Sequence, residues 1–166
     1  MNYRERLELL KRELPHPLTV GSEEEMAAKE RFRSFFSDFS PSKISELLDQ
    51  TYAENVWFND TLKTIEGREA LRSYLAHSAE AVEACRVEVA EIIGNGEGDY
   101  YARWSMMIQF KRFKRGQQTH SIGMSHLRFD QDGRVVLHQD FWDASQGLFD
   151  HVPLLGAMIR WVRRQA

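Results

Sequence analysis

The sequence predicts an α+β domain: a strongly curved antiparallel sheet, shaped like a cone, with N-terminal helices packed over its concave face. Three observations carry this. Apolar residues recur at helical spacing through most of the first half, to about Val82. From Arg86 to Trp142 the pattern changes to strand-like alternation. The turns between the alternating runs, "NGEG", "RGQQ" and "DQDG", are tight enough for a meander. A sheet covered by helices on one face buries one layer against the other.

Each element follows from local chemistry. The stretch to about Glu13 has the content of a short helix, which "LPHPLTVGS" ends with Pro15, Pro17 and Gly21. Residues 1–21 are read as an arm, laid on the domain or on a neighbouring subunit. Ser22 and Glu25 have the form of a capping box. Behind them Phe32, Phe35, Phe36 and Phe39 make an aromatic stripe that forms core or cavity roof. "SPSK" starts a second helix with Pro41 in its first turn, running to about Ala53. "ENVWFND" alternates like a strand, and a third helix is expected from about Arg68 to Val82. Four long strands follow, within "RVEVAEIIG", "DYYARWSMMIQFKRF", "THSIGMSHLRF" and "RVVLHQDFW". The main domain spans 22–145, and 146–166 reads as a C-terminal helical extension.

Bulk properties narrow the function. A chain of 166 residues is one domain by size. Its net charge of -3 argues against nucleic acid or anionic lipid as the main partner. Cys85, the single cysteine, excludes a disulfide framework or a multi-thiolate metal site within one chain. No apolar run approaches the ~20 residues that span a bilayer. The N-terminal "MNYRERLELLKREL" carries charge throughout, unlike a secretory signal. A cytoplasmic location is expected.

"YAENVWFNDTLKTIEGREALRSYL" together with "GMSHLRFDQDGRVVLHQDFWD" resembles the SnoaL-like branch of the nuclear-transport-factor-two-like superfamily, with its cystatin-like, ketosteroid-isomerase-like fold. The likeness covers roughly Glu25 to Asp143. It implies a deep pocket open at one end and a homodimer through the outer sheet face. Fold does not fix activity, since this superfamily holds isomerases, cyclases, hydrolases and non-catalytic binders. In ketosteroid-isomerase-like relatives the general-base aspartate falls on Asp60. Their oxyanion donors, a tyrosine and a protonated aspartic acid, fall on or near Phe36 and on Ser125, so those donors are missing. In relatives resembling limonene-epoxide hydrolase, the last-strand aspartate falls on Asp140. The Arg and Asp that complete that set fall on Trp104 and Met106. Both expected catalytic sets are broken.

Alternation then sorts the candidates. If Asp140 faces the cavity, so do His138 and Trp142. The resemblance picks out the parity of Phe58 and Asp60, of Trp104 and Met106, and of Gly123 and Ser125 on the other strands. Phe36, Phe58, Trp104, Met106, Ser125 and Trp142 are therefore candidate substrate-binding residues, an apolar wall with sparse orienting groups. Asp60, His138 and Asp140 are the catalytic candidates. Two carboxylates in one pocket would push a pKa upward, leaving one acid and one base, with His138 relaying the proton. The structural alternatives are that Asp60 caps a turn before "TLKTIEG" and that Asp140 accepts a backbone or tryptophan N–H.

Other features read more plainly. His120 and His126 share a parity that points away from the pocket, as surface or interface histidines, and no metal set is expected. "DQDG" is a hairpin turn, lacking the acids of a calcium loop. "KRFKRG" is a solvated basic tip. The tail from Leu154 to Val162 has one apolar side beside Arg160, Arg163 and Arg164. It packs on the cone mouth or a partner subunit, with contact to a membrane surface as the alternative. The sequence therefore leaves two readings of one hydrophobic or amphipathic ligand pocket. One is a cofactor-independent acid–base isomerase, cyclase or hydrolase. The other is a non-catalytic binding or accessory protein.

Overall fold

Helix starts are set by their caps. The computed structural model describes residues 1–111 and 117–143. Helix α1 (Tyr3–Glu13) begins behind Asn2, whose side chain accepts the Glu5 N–H while the Glu5 carboxylate accepts the Asn2 N–H. Helix α2 (Glu23–Ser37) begins behind Ser22, whose hydroxyl accepts the Glu25 N–H at 3.2 Å. The capping box expected there is half made, because the Glu25 carboxylate bypasses Ser22 and accepts from the Gly21 N–H at 2.9 Å. Helix α3 (Pro41–Thr51) carries its proline in the first turn behind Ser40. Helix α4 (Arg68–Ala81) starts at Gly67, whose φ of 87° is open to glycine at little cost.

The strands are β1 (Tyr52–Asn59), β2 (Thr64–Glu66), β3 (Val82–Gly94), β4 (Tyr100–Phe110), β5 (Gln118–Phe129) and β6 (Val135–Trp142). They form one curved, unclosed sheet in the order β2-β1-β6-β5-β4-β3. Every neighbouring pair is antiparallel except β1 and β6, which run parallel with Phe58 opposite His138. Strand β2 is too short for alternation to reveal it. Strand β3 begins at Val82, directly after α4, earlier than the Arg86 expected, so the chain turns from helix to sheet without a loop.

Helices α2, α3 and α4 cover the inner face. Phe32, Phe35, Ile44, Leu48 and Leu71 are fully buried there against Tyr52, Tyr100 and Leu127. The phenylalanine stripe divides: Phe32 and Phe35 are core, whereas Phe36 and Phe39 are partly buried beside it. The N-terminal arm is α1 laid on the outer face of its own domain. Its Leu10 is buried with Trp57, Val136 and Leu137 in a second, smaller core. The rest of the outer face leaves Ile93, Tyr101, Ile122, Met124 and Phe141 exposed. Among the described residues no helix is long and apolar enough to cross a membrane. The expected C-terminal helix, 146–166, and all of the "KRFKRG" tip after Lys111 lie outside the described residues.

Candidate functional site

Between α2, α4 and the inner sheet face lies a cavity of about 320 Å³, the size of a small-molecule site. All nine candidates, Phe36, Phe58, Asp60, Trp104, Met106, Ser125, His138, Asp140 and Trp142, line it. Strand pairing explains the convergence. Ser125 stands opposite Asp140 across β5 and β6, His138 opposite Phe58 across β6 and β1, and Trp104 opposite Gly123 across β4 and β5. Gly123 is required by close approach: a Cβ there would collide with the Trp104 ring.

The polar groups form a directional chain. Trp104 Nε1–H donates to Ser125 Oγ at 2.9 Å, and the Ser125 hydroxyl donates to Asp140 Oδ1 at 2.5 Å. His138 Nε2 lies 2.7 Å from the same Oδ1, and its Nδ1 lies 2.8 Å from the Tyr52 hydroxyl. Tyr52 is fully buried, and burial followed by the charge of Asp140 raises its pKa well above the ordinary phenol value. The phenol therefore keeps its proton. In the tautomer where it donates to Nδ1, the imidazole hydrogen sits on Nε2 and points at Asp140. Asp140 Oδ2 accepts no hydrogen bond from any described residue, and the side chain keeps 14% of its surface open. The carboxylate is thus pinned by one oxygen and offers the other.

Asp60 is held differently. Its Oδ1 accepts the N–H groups of Leu62 at 3.0 Å and Lys63 at 2.9 Å, and its Oδ2 accepts the Tyr74 hydroxyl. Burial and that contact push the Tyr74 pKa upward. The turn is tight enough to hold Thr61 at φ 73°, rare for a β-branched residue. Trp142 Nε1–H closes it by donating to the Asp60 carbonyl at 2.8 Å. Asp60 therefore caps its turn, as the structural alternative had it, while also lining the cavity. The tryptophan N–H groups do not serve Asp140; Ser125 and His138 do.

Tyr74, His77 and Ser78 of the cavity wall, and Tyr52 behind it, were absent from the sequence reading. Tyr52 lies at the α3–β1 junction, where neither period applies. Tyr74 lies one turn from Leu71 and from Ser78 on α4, a helical spacing that could have flagged it. At the half-buried rim, burial pushes the Cys85 thiol up to about 11, so it is a poor nucleophile near neutrality. His120 is exposed, but His126 is only 2% exposed: α1 covers it, which corrects its reading as a surface or interface histidine. Among the described residues no group of three or more His, Cys, Asp or Glu is placed to hold a metal.

This fold agrees with the comparisons. The chain matches the SnoaL-like domain family model over residues 30–138 and belongs to that family. Among solved structures it is similar to a Mycobacterium tuberculosis LEH-like epoxide hydrolase, at 15% identity and a TM-score of 0.60, covering 82% of this chain and 96% of that one. It is also similar to SalBIII, an epoxide hydrolase/cyclase-like enzyme of pyran ring formation in the polyether salinomycin, at 15% identity and a TM-score of 0.62, covering 75% and 97%. A third is an NTF2-like protein of unknown function from Exiguobacterium sp. 255-15, at 14% identity and a TM-score of 0.60, covering 70% and 98%. At these identities the likeness shows the fold. No curated protein sequence matches the chain.

Proposed function

We propose that this SnoaL-like protein binds a largely apolar small molecule and acts on it by cofactor-independent acid–base chemistry, as an isomerase, cyclase or hydrolase. The observation that carries this reading is Asp140, a cavity-lining carboxylate held through Oδ1 by His138 and Ser125, whose Oδ2 accepts from no described residue. Oδ2 is the base. It takes a proton from the substrate or from a water beside it and later returns the proton to the product. His138 Nε2 and the Ser125 hydroxyl hold Oδ1 in place, and the Tyr52 hydroxyl braces the imidazole at Nδ1. Asp60 positions Tyr74 and the turn at the cavity wall. Epoxide hydrolase and cyclase chemistry among similar folds supports testing epoxides and enolisable ketones first.

The test is Asp140→Asn, which keeps the shape and removes the base. Turnover of a substrate found in such a panel is expected to fall about 10²–10⁴-fold, with the fold retained. Unchanged turnover would reject the reading. The second reading, a non-catalytic binder, is favoured by Asp60, whose oxygens are both engaged. It is also favoured by the residues at the expected oxyanion and Arg–Asp positions: Phe36, Ser125, Trp104 and Met106. Turnover that follows the titration of Asp140 would exclude it. A second copy of the chain on the outer sheet face is part of the same proposal, supported by the exposed Ile93, Ile122 and Met124. A single molecular mass by sedimentation, monomeric at all concentrations, would remove that part.

A further inference from the structure

Resting on the pocket reading, we infer that the cavity takes an organic cation: a protonated or quaternary amine carried on an apolar body. The walls supply acids and no base of permanent charge. Asp60 and Asp140 line the cavity with His77 and His138, and among the described residues no lysine or arginine does. Lys63 stands outside it, with its ammonium 5.5 Å from the Tyr74 ring centroid. His138 does not fill the gap. With the Tyr52 hydroxyl donating to Nδ1, the imidazole gives Asp140 one Nε2–H and brings no fixed charge. Asp140 is therefore hydrogen-bonded but, among the described residues, meets no lysine or arginine.

Elsewhere this chain does not leave such a group uncompensated. Asp99, buried with His126, is given the Arg128 guanidinium at 2.5 Å and the Lys11 ammonium at 3.7 Å. At Asp140 the counter-charge is left to the contents of the cavity. The walls suit it, because Phe36, Phe58, Trp104 and Trp142 surround the same space, and aromatic faces attract cations from which water has been stripped. A ligand carboxylate or phosphate would meet the opposite: like charge and no donor of positive charge.

Calorimetric titration of the full chain with three probes of one shape class decides this: benzyltrimethylammonium, its uncharged carbon isostere neopentylbenzene, and phenylacetate. The cation is expected to bind at least about tenfold more tightly than the isostere, and phenylacetate more weakly than either. Asp140→Asn should erase the advantage of the cation and leave the isostere unchanged. Equal binding of cation and isostere by the unaltered protein, or tightest binding of phenylacetate, overturns the inference and leaves the pocket reading standing. Failure of all three to bind at millimolar concentration overturns both.

Discussion

The two faces of the sheet carry the same three side chains in the same order and use them differently. On the inner face the Tyr52 hydroxyl meets His138 Nδ1, and His138 Nε2 meets Asp140. On the outer face the Tyr3 hydroxyl meets His126 Nδ1 at 2.7 Å, and His126 Nε2 meets Asp99 at 2.9 Å. What differs is the fourth group. Asp99 is also bound by Arg128, and α1 seals the set from water. Asp140 has Ser125 in that place, a neutral donor, and an open cavity beyond. A carboxylate with a guanidinium is a finished structural joint. One with only a hydroxyl and an imidazole keeps unsatisfied demand for positive charge, the property expected of a working site.

The contrast can be broken most forcefully from the outer face. Asp99→Ala should cost about 3–5 kcal/mol, because it leaves Arg128 buried without its partner. Asp140→Ala should cost about 1–2 kcal/mol, the loss of hydrogen bonds at a partly open site. Urea unfolding that gave equal losses would erase the distinction. Acid sharpens the same point. Burial raises the Asp99 pKa, but hydrogen bonds from His126 and Arg128 outweigh it and hold the carboxyl well below the usual range. Its stabilisation is thus fully present above the unfolded value of about 4 and is lost as pH falls below that toward the depressed folded value. The stability gap between the protein and Asp99→Asn should be constant from about pH 5 to 7 and shrink below about pH 4.

Gly123→Ala comes next, at about 1–3 kcal/mol. The added methyl has to displace the Trp104 ring, and with it the indole donor to Ser125. A loss of probe binding larger than the loss of stability is expected, measured by titration and by urea unfolding of the same sample. The smallest effect is Tyr52→Phe against Tyr3→Phe. Each removes one hydrogen bond to an imidazole, worth about 1 kcal/mol. The inner substitution should cost more, because Tyr52 is fully buried whereas Tyr3 is partly open. A reversed order would show that α1, rather than the cavity floor, holds the tighter set.

The inner set was largely legible in the sequence because strand parity is a strict rule. Once Asp140 was placed inward, His138 and Trp142 had to follow, and pairing brought Ser125, Trp104 and Phe58 to the same wall. The rule works only between irregularities. The register shifts between Tyr52 and Trp57, between Val89 and Glu91, and between Arg128 and Phe129 reset it, and none is marked by a glycine or proline at the shift. Tyr52 sits at one of these resets. The outer set was illegible for another reason. It joins Tyr3, Asp99, His126 and Arg128, residues from an arm, a hairpin and a strand. Only the docking of α1 brings them together, and the arm's sequence fitted its own domain or a neighbour equally well.

The parallel pairing of β1 and β6 has a consequence for assembly. Strand β6 is the last described strand of the chain, yet it lies between β1 and β5, with Asn59 and Gln139 in contact across 80 positions of sequence. Until β6 arrives, the chain holds a two-stranded fragment and a three-stranded meander with no strand pairing to join them. Long-range closure of this kind is slow. A nascent chain ending before Val135 would expose both fragments' unpaired edges to other chains. The same strand delivers His138 and Asp140, so the act that makes the sheet whole also completes the polar chain of the cavity, and no half-built molecule can display one without the other.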